Sequence, residues 1–452
     1  MKDHRWLLII LLVGAAIRFA AFLFAQPWTP HGEHIVLYKS SKDVLSYHYL
    51  AHDLVMYGRY GGNPEADPWR LDPVIRPMGY ALYIAFWYWL FVPRPWIVLL
   101  SQVILSIGSI WLAYSVTLRV FGEKSAIVAA LLFAIYPNSI LLSSTMMTET
   151  IYILFVFIFL YIYSVFKKYI LLNDIKKSTF WLIIAGVSFA ATVYIRVSTI
   201  YLSLIFPIII FSIKILPIRH KIVFLLLFYL SLFVSITPYS AYMYQRYGTF
   251  RLTMVDDYNF LYNNIGHALG GRTKRNDPRP GSLMRQLEQE LYNRLLAAGL
   301  DPVHSNPFDR SPYFRDIAME YIHKYPTQML KGILQGMARF WYWPDRIWEV
   351  AEEVLPNRFP LRGGVIYILK LYAIGYLLVW LGLLVGGLVI AFRGHKDWFW
   401  IFLIAALYFT LTTGSAGNDR YRMQVTPFAF PLVGAGYLFW VSRGAQRVNR
   451  RA

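Results

Sequence analysis

An all-α membrane protein is the fold class this sequence predicts, and three observations carry the prediction. First, 57% of its 452 residues are hydrophobic and only 15% are charged, whereas soluble domains carry about 25% charged residues. Second, the apolar residues fall into blocks near or above the ~18 needed for a spanning helix. Third, short basic loops separate those blocks. That is the pattern of a polytopic bundle in which each helix satisfies its own backbone polar groups. The net charge of +19 could suggest a nucleic-acid partner. Here, however, Lys and Arg are distributed over the loops instead of forming one basic domain, so the charge reads as membrane orientation and no nucleic acid is expected. The absence of Cys excludes disulfides, thiolate metal sites and Cys nucleophiles.

Met1 to Arg5 is basic, which places the N-terminus in the cytoplasm by the positive-inside rule. Trp6 to Ala25 has a basic start and an apolar core but no small-residue cleavage site after it, so it reads as a retained first span. Lys42 to Tyr80, much more polar than its flanks, then falls on the outer side. Within it Val44, Leu45, Tyr47, Leu50, Ala51, Leu54, Val55 and Met56 recur at roughly helical spacing until Gly58. This predicts an amphipathic helix lying on the membrane. Asp43 stands at its N-terminal edge, where the helix dipole favours a carboxylate.

Tyr80 to Val92 is short for a span and is bracketed by Pro77, Pro93 and Pro95. If it crossed, the basic groups at 123–124, 167–168, 176–177, 219–221, 393–396 and 443–451 would all lie outside. If it lies flat, all lie inside, as the positive-inside rule requires. Residues 26–95 therefore form one outer loop with two surface helices. Spans are expected at Trp96–Arg119, Ser125–Leu142, Thr150–Phe166, Thr179–Tyr194, Thr199–Leu216, Ile222–Tyr242, Gly364–Phe392, Trp398–Thr413 and Val425–Val441. With the first, that makes about ten, with both termini cytoplasmic.

Between Gln245 and Gly363 helical periodicity appears over Gly281–Leu296 and Phe314–Phe340. The stretch Tyr325–Trp343, ending in F-W-Y-W, is expected to be a third surface helix. The chain thus divides into a transmembrane module at 1–244, an extracytoplasmic helical section at 245–363 and closing transmembrane helices at 364–452. No internal repeat is visible, so the inverted-repeat signature of many secondary transporters is missing.

Asp43, Arg76, Glu149, Arg196, Arg420 and Arg422 gather where the chain leaves the membrane on the outer side. Charges at membrane depth are costly and mark a pair, a pathway or a site. Two carboxylates among several arginines suit the binding of an anion and the removal of a proton. Plainer roles stay open for each residue taken alone. Ser41 and Asp43 are both favourable helix caps, Thr148 could cap the helix beginning near Glu149, and arginines can snorkel to headgroups. Arg18 is expected to pair with a carboxylate or a backbone carbonyl. His48, His52 and His267 lack metal-ligand spacing.

The ordered motifs D43-x3-Y47-x3-A51-x2-L54, G58-R-Y60, R76-P-M-G-Y80, L118-R-V-F-G122, T148-E149, Y194-I-R196, N259-F-L-Y-N263-N264, Y321-I-H-K-Y-P326 and R420-Y-R-M-Q-V-T-P427 resemble the C-type glycosyltransferases. The similarity covers essentially the whole chain. It is strongest to glycosyltransferase family 39, in its bacterial protein mannosyltransferase and lipid A aminoarabinose transferase group. The resemblance implies a catalytic acidic residue at Asp43, a second acidic position at Glu149, and outer arginines holding a lipid phosphate at Arg196 and Arg420. Arg76 and Arg422 are further candidates for the phosphate, and Tyr47, Tyr80 and Asn259 for substrate contacts. The chain departs from the pattern in reading P-Y-S-A-Y-M-Y after Pro238, in having Met78 where a second proline is usual, and in flanking Asp43 with Lys42 and Val44 instead of an acid.

The resemblance further implies an enzyme of a bacterial inner membrane. It would move a hexose or pentose, with inversion, from an undecaprenyl-phosphate-type donor to an acceptor hydroxyl or phosphate at the periplasmic face. The acceptor, whether lipid, glycan or protein, is left open. No cofactor is assigned; a divalent cation is the one candidate, and the missing neighbouring acid weakens the case for it at Asp43. The alternatives are a transporter or flippase of a lipid-linked sugar, and an oligosaccharide ligase or polymerase.

Overall fold

The computed structural model describes residues 4–39, 42–61, 69–270, 283–342 and 362–449, and among these every regular element is a helix. Among the described residues seven helices are long and apolar enough to cross a membrane: Arg5–Ala25, Pro95–Phe121, Thr148–Leu171, Ile175–Ile195, Ile218–Tyr247, Gly363–Gly394 and Lys396–Ala416. The broken pair Glu123–Ala134 and Pro137–Ser143, bent by 54°, makes an eighth if it is one span. The protein is a multi-pass membrane bundle. Two of the expected spans differ from their sequence reading. Thr199–Leu216 is a 3-10 segment, Val197–Leu204, leading into a short helix, Ile205–Ser212. Val425–Val441 corresponds to the 24-residue helix Thr426–Asn449, which is buried continuously from its first residue to Gly436. Enclosed by protein, that helix does not need the strong apolarity of a lipid-facing one.

Close helix contact in a bilayer depends on small residues that let backbones approach. Arg362–Gly394 packs along Thr426–Asn449 in this way. A Cβ on Gly387 would stand 1.8 Å from the Leu432 carbonyl oxygen, and one on Gly436 would stand 1.8 Å from that of Leu383. Thr148–Leu171 packs between Pro95–Phe121 and Ile175–Ile195, and the latter also contacts Ile218–Tyr247.

Arg18 is fully buried, and its partners explain why. Pro137 cannot supply the N–H that would continue the helix past Ala134. The Arg18 guanidinium takes up the carbonyls exposed at the break, donating to Ala134 O at 2.7 Å and Phe133 O at 3.3 Å. It also donates to Ser106 at 2.8 Å and Ser139 at 3.1 Å. The expected pairing with backbone carbonyls is what the fold contains.

At one end of the bundle lie the two helices of the first loop. Lys42–Tyr57 ends at Gly58, whose φ of 63° is a conformation glycine adopts freely. Met78–Leu90 has 13 residues, too few to cross a ~30 Å hydrocarbon core. Leu82, Phe86, Trp89 and Leu90 form an exposed apolar stripe along it. The later section contains Leu283–Ala297, Pro307–Lys324 and Pro326–Tyr342. The periodic stretch Phe314–Phe340 is therefore two helices, parted at Tyr325 because the residue before Pro326 is driven out of helical geometry. Gly281 and Trp343, the outer limits of two expected helices, fall outside the described residues.

Candidate functional site

Five of the residues singled out in the sequence meet at this end of the bundle, brought there by distant elements. Asp43 sits in the first turn of Lys42–Tyr57. Arg76 follows the short turn Asp72–Ile75, extended at φ −102°, ψ 117° as the residue before a proline prefers. Gly79 lets this segment press against the end of Ile175–Ile195, since a Cβ there would lie 2.6 Å from the Tyr194 backbone. Arg196 closes that helix in extended conformation. Arg420 lies in the turn Asp419–Arg422, capped by Asn418, whose side chain accepts from the Arg420 and Tyr421 N–H groups. Asn138 anchors the same turn by donating to Asp419 at 3.2 Å.

Glu149, in the first turn of Thr148–Leu171, has no exposed side-chain surface. Its Oε1 accepts from Arg196 Nη2 at 2.6 Å and from Arg420 Nε at 2.7 Å. Glu149 is therefore a buried counter-charge and not merely a helix-capping acid. Arg420 spans two carboxylates, because its Nη2 donates to Asp43 Oδ2 at 2.9 Å. Asp43 Oδ1 in turn receives Arg76 Nη2 at 2.9 Å, and Arg76 Nε stands 3.6 Å from Asp72. Burial opposes charge on Arg420, but Glu149 and Asp43 outweigh it and hold the guanidinium above its ordinary pKa. Arg76 behaves alike, burial being outweighed by Asp43 and Asp72. Both arginines stay cationic at any physiological pH. Burial raises the Tyr47 hydroxyl, partly countered by Arg76, so that phenol stays neutral.

This cluster forms one wall of a cavity of about 330 Å³, whose lining includes Asp43, Tyr47, Arg76, Arg196, Asn259 and Arg420. Arg196 Nε is buried without a hydrogen-bond partner among the described residues, leaving a donor in reserve. The opposite wall comes from the later section. Met254 N and Thr253 Oγ1 both donate to Val74 O, at 2.9 and 2.6 Å, which pins the segment Val255–Tyr258 beside Arg76.

Besides the buried Glu149, two predicted residues stand apart from the cavity lining. Tyr80 is buried behind Tyr47, edge-on at 4.9 Å, and donates to Gln102 Oε1 at 2.5 Å. Gln102 donates to Thr145 O at 2.7 Å, so Tyr80 steadies the loop leading to Glu149. Arg422 is buried and donates to the carbonyls of Phe340 and Trp341 at 3.1 and 2.9 Å, tying the helix Pro326–Tyr342 to the turn that carries Arg420.

Asp256 also lines the cavity and was not foreseen. Its side chain opens onto the cavity, yet the surrounding protein, followed by Asp257, raises its pKa above the usual aspartate value. The acidic pair D-D in a polar loop was the only sequence signal for it.

Among the described residues no three His, Asp or Glu side chains gather as a metal site. At Asp43 and Glu149 the positive partners are guanidinium groups. His48 donates or accepts at Tyr88 Oη, 2.8 Å away. Burial, helped by His52, pushes it down to about 4, so it acts as a neutral packing residue.

Residues 75–240, which include Arg76, Glu149 and Arg196, match the sequence family described as dolichyl-phosphate-mannose-protein mannosyltransferase. The oligosaccharyltransferase AglB from Archaeoglobus fulgidus, solved with an inhibitory peptide and a dolichol-phosphate, aligns over 99% of this chain and 52% of its own, with TM-score 0.51 and 13% identity. The enzyme from the same organism tethered to an acceptor peptide aligns over 95% of this chain and 49% of its own, with TM-score 0.54 and 14% identity. The chain has the fold of the C-type glycosyltransferases. It spans about half the length of these archaeal C-type enzymes. ArnT from Cupriavidus metallidurans bound to undecaprenyl phosphate, another of the C-type structures, aligns at TM-score 0.37 and 12% identity, over 98% of this chain and 79% of its own. Curated protein sequences give no match. The resemblance of the ordered motifs to the C-type glycosyltransferases thus agrees with the fold and with the family match over the middle of the chain.

Proposed function

We propose that this chain is an inverting glycosyltransferase that moves a single sugar from a polyprenyl-phosphate donor to an acceptor on the outer side of the membrane. The observation that carries the reading is Arg420 bridging Asp43 and Glu149 at the wall of a cavity. One guanidinium thereby links a carboxylate open to the cavity with one sealed inside the bundle. The basic residues at the far ends of the helices support, by the positive-inside rule, a cytoplasmic side for that opposite end and for both termini. The solved relative that carries a dolichol-phosphate shares the fold.

The chemistry follows from the partners. The acceptor oxygen attacks the anomeric carbon as the bond from that carbon to the phosphate oxygen breaks, and the acceptor proton passes to Asp43. General-base action of this kind is typically worth ~10²–10⁴ in rate. The leaving group is the lipid phosphate, whose charge Arg196, Arg420 and Arg76 are placed to stabilise. Arginine suits this because its planar fork matches phosphate oxygens. In the resting site both Asp43 oxygens are engaged by guanidinium groups, so neither is free to take up a proton. A bound phosphate competes for the same donors, so donor binding frees Asp43 at the moment a base is needed. Glu149, buried and held by two arginines, keeps them in place. No step requires a metal ion.

The test is to incubate the purified protein with a panel of polyprenyl-phosphate hexoses and pentoses and follow release of the lipid phosphate. Release with at least one donor is expected, together with saturable binding of undecaprenyl phosphate. No release from any donor and no binding of that lipid would overturn the reading.

A further inference from the structure

A second, larger cavity of about 780 Å³ lies on the other side of the Asp72–Met78 segment from the Asp43 site. Pro73 and Met78 face it, while Ile75, Arg76 and Pro77 face the first. Its lining includes Arg59, Arg70, Arg246, Arg310 and His304, and no Asp or Glu lines it among the described residues. Arg59 and His304 each have a carboxylate nearby, Asp53 at 3.6 Å and Asp301 at 3.1 Å. Arg70 and Arg246 are exposed and have no ion-pair partner among the described residues. Like charges in one concavity repel one another and focus a positive potential there. An anionic ligand relieves that repulsion.

The position of the cavity narrows the ligand. Leu54 and Leu82, from the two helices of the first loop, form its rim, and Leu82 begins the exposed apolar stripe that continues through Phe86 and Trp89. Tyr242 and Arg246, at the end of the spanning helix Ile218–Tyr247, supply another side. The cavity therefore opens where apolar surface gives way to polar surface, at the level of lipid headgroups. Basic pockets at that depth suit phosphate-bearing lipids, and an acyl chain could follow the Leu82 stripe while the headgroup meets the arginines.

We propose that this second cavity binds the phosphate headgroup of an anionic membrane lipid, separately from the sugar donor. The inference does not depend on the donor reading, because it uses none of the residues around Asp43. The test uses the full-length protein in nanodiscs containing phosphatidylcholine and phosphatidylglycerol, followed by native mass spectrometry after detergent exchange. Wild type is expected to retain phosphatidylglycerol in preference to phosphatidylcholine. R70Q/R246Q, which keeps side-chain length and polarity, is expected to lose that preference by about tenfold or more, while R70K/R246K keeps most of it. Binding of undecaprenyl phosphate by R70Q/R246Q is expected to stay at the wild-type level. Unchanged phosphatidylglycerol retention in R70Q/R246Q would overturn the proposal. So would displacement of the lipid by millimolar inorganic phosphate, which would make this a free-phosphate site, and so would an equal loss of undecaprenyl phosphate binding, which would make the cavity part of the donor site.

Discussion

Two carboxylate–arginine clusters sit at the same end of this molecule, and they are built to opposite ends. Around Asp257 the partners are Arg251 at 2.6 Å, Ser311 and Arg315. They come from two segments of the later section, 251–257 and the helix Pro307–Lys324, and the carboxylate is 3% exposed. Around Asp43 and Glu149 the partners come from positions 76, 196 and 420, so the cluster exists only when the whole bundle is assembled. It opens onto a cavity and keeps an unused donor on Arg196. The chemistry of the groups is alike. What separates a staple from a candidate site is access and spare hydrogen-bonding capacity.

That contrast can be broken experimentally, and the largest effect is expected at Asp43. Asp43→Asn should lower the rate of sugar transfer by ~10²–10⁴, while thermal melting and lipid-phosphate binding persist. Arg420→Ala comes next, with a loss of ~10²–10³ in turnover, the scale found when one donor to a developing anion is removed. Lysine at that position should restore little, since it cannot bridge two carboxylates.

Asp257→Asn should act on stability instead. Breaking a buried pair costs about 3–5 kcal/mol, and because Arg251 and Arg315 are partly exposed solvent screening reduces this to roughly 1–3 kcal/mol. Calorimetry should show a lower melting temperature with turnover per folded molecule unchanged. The same cluster sets a pH signature. Burial works to raise the Asp257 carboxyl, but Arg315, Ser311 and Arg251 outweigh it and hold it below the usual range. Its stabilisation is therefore present above the unfolded value of ~3.9 and is lost as pH falls through the lower folded value. The melting-temperature gap between wild type and Asp257→Asn should close in that acidic window and not near neutrality. The smallest effect on chemistry is expected from Arg422→Gln, which leaves carbonyls of Phe340 and Trp341 without their donor and should cost about 1–3 kcal/mol of stability while binding of undecaprenyl phosphate changes little.

Much of this was legible in the sequence because the bilayer imposes simple rules. Charge bookkeeping over the loops marked Tyr80–Val92 as non-spanning, and the helix found there, Met78–Leu90, has only 13 residues. The helical spacing from Val44 to Val55 gave Lys42–Tyr57 with Asp43 in its first turn. Arg18 was expected on a carboxylate or a backbone carbonyl and is found on two carbonyls at the Pro137 break, with a third from its own helix at Gly14. The misses share a cause, namely that they depend on contacts between distant segments. Arg422 has the same sequence credentials as Arg420, two residues away, but the turn directs one into the cavity wall and the other toward the helix Pro326–Tyr342. Asp256 belongs to no span exit, and the bonds from Met254 N and Thr253 Oγ1 to the Val74 carbonyl help bring its segment to the site. Val425–Val441 was expected only as a further span, because hydropathy does not report what a helix is buried against.

The central claim is that Asp43 is the base beside arginines that hold a lipid phosphate. The most direct measurement pairs equilibrium binding of undecaprenyl phosphate with single-turnover release of that lipid from a sugar-loaded donor, in wild type and in Asp43→Asn. Binding within a factor of about three, together with release slowed at least a hundredfold, is the predicted result. Release at the wild-type rate in Asp43→Asn would contradict it.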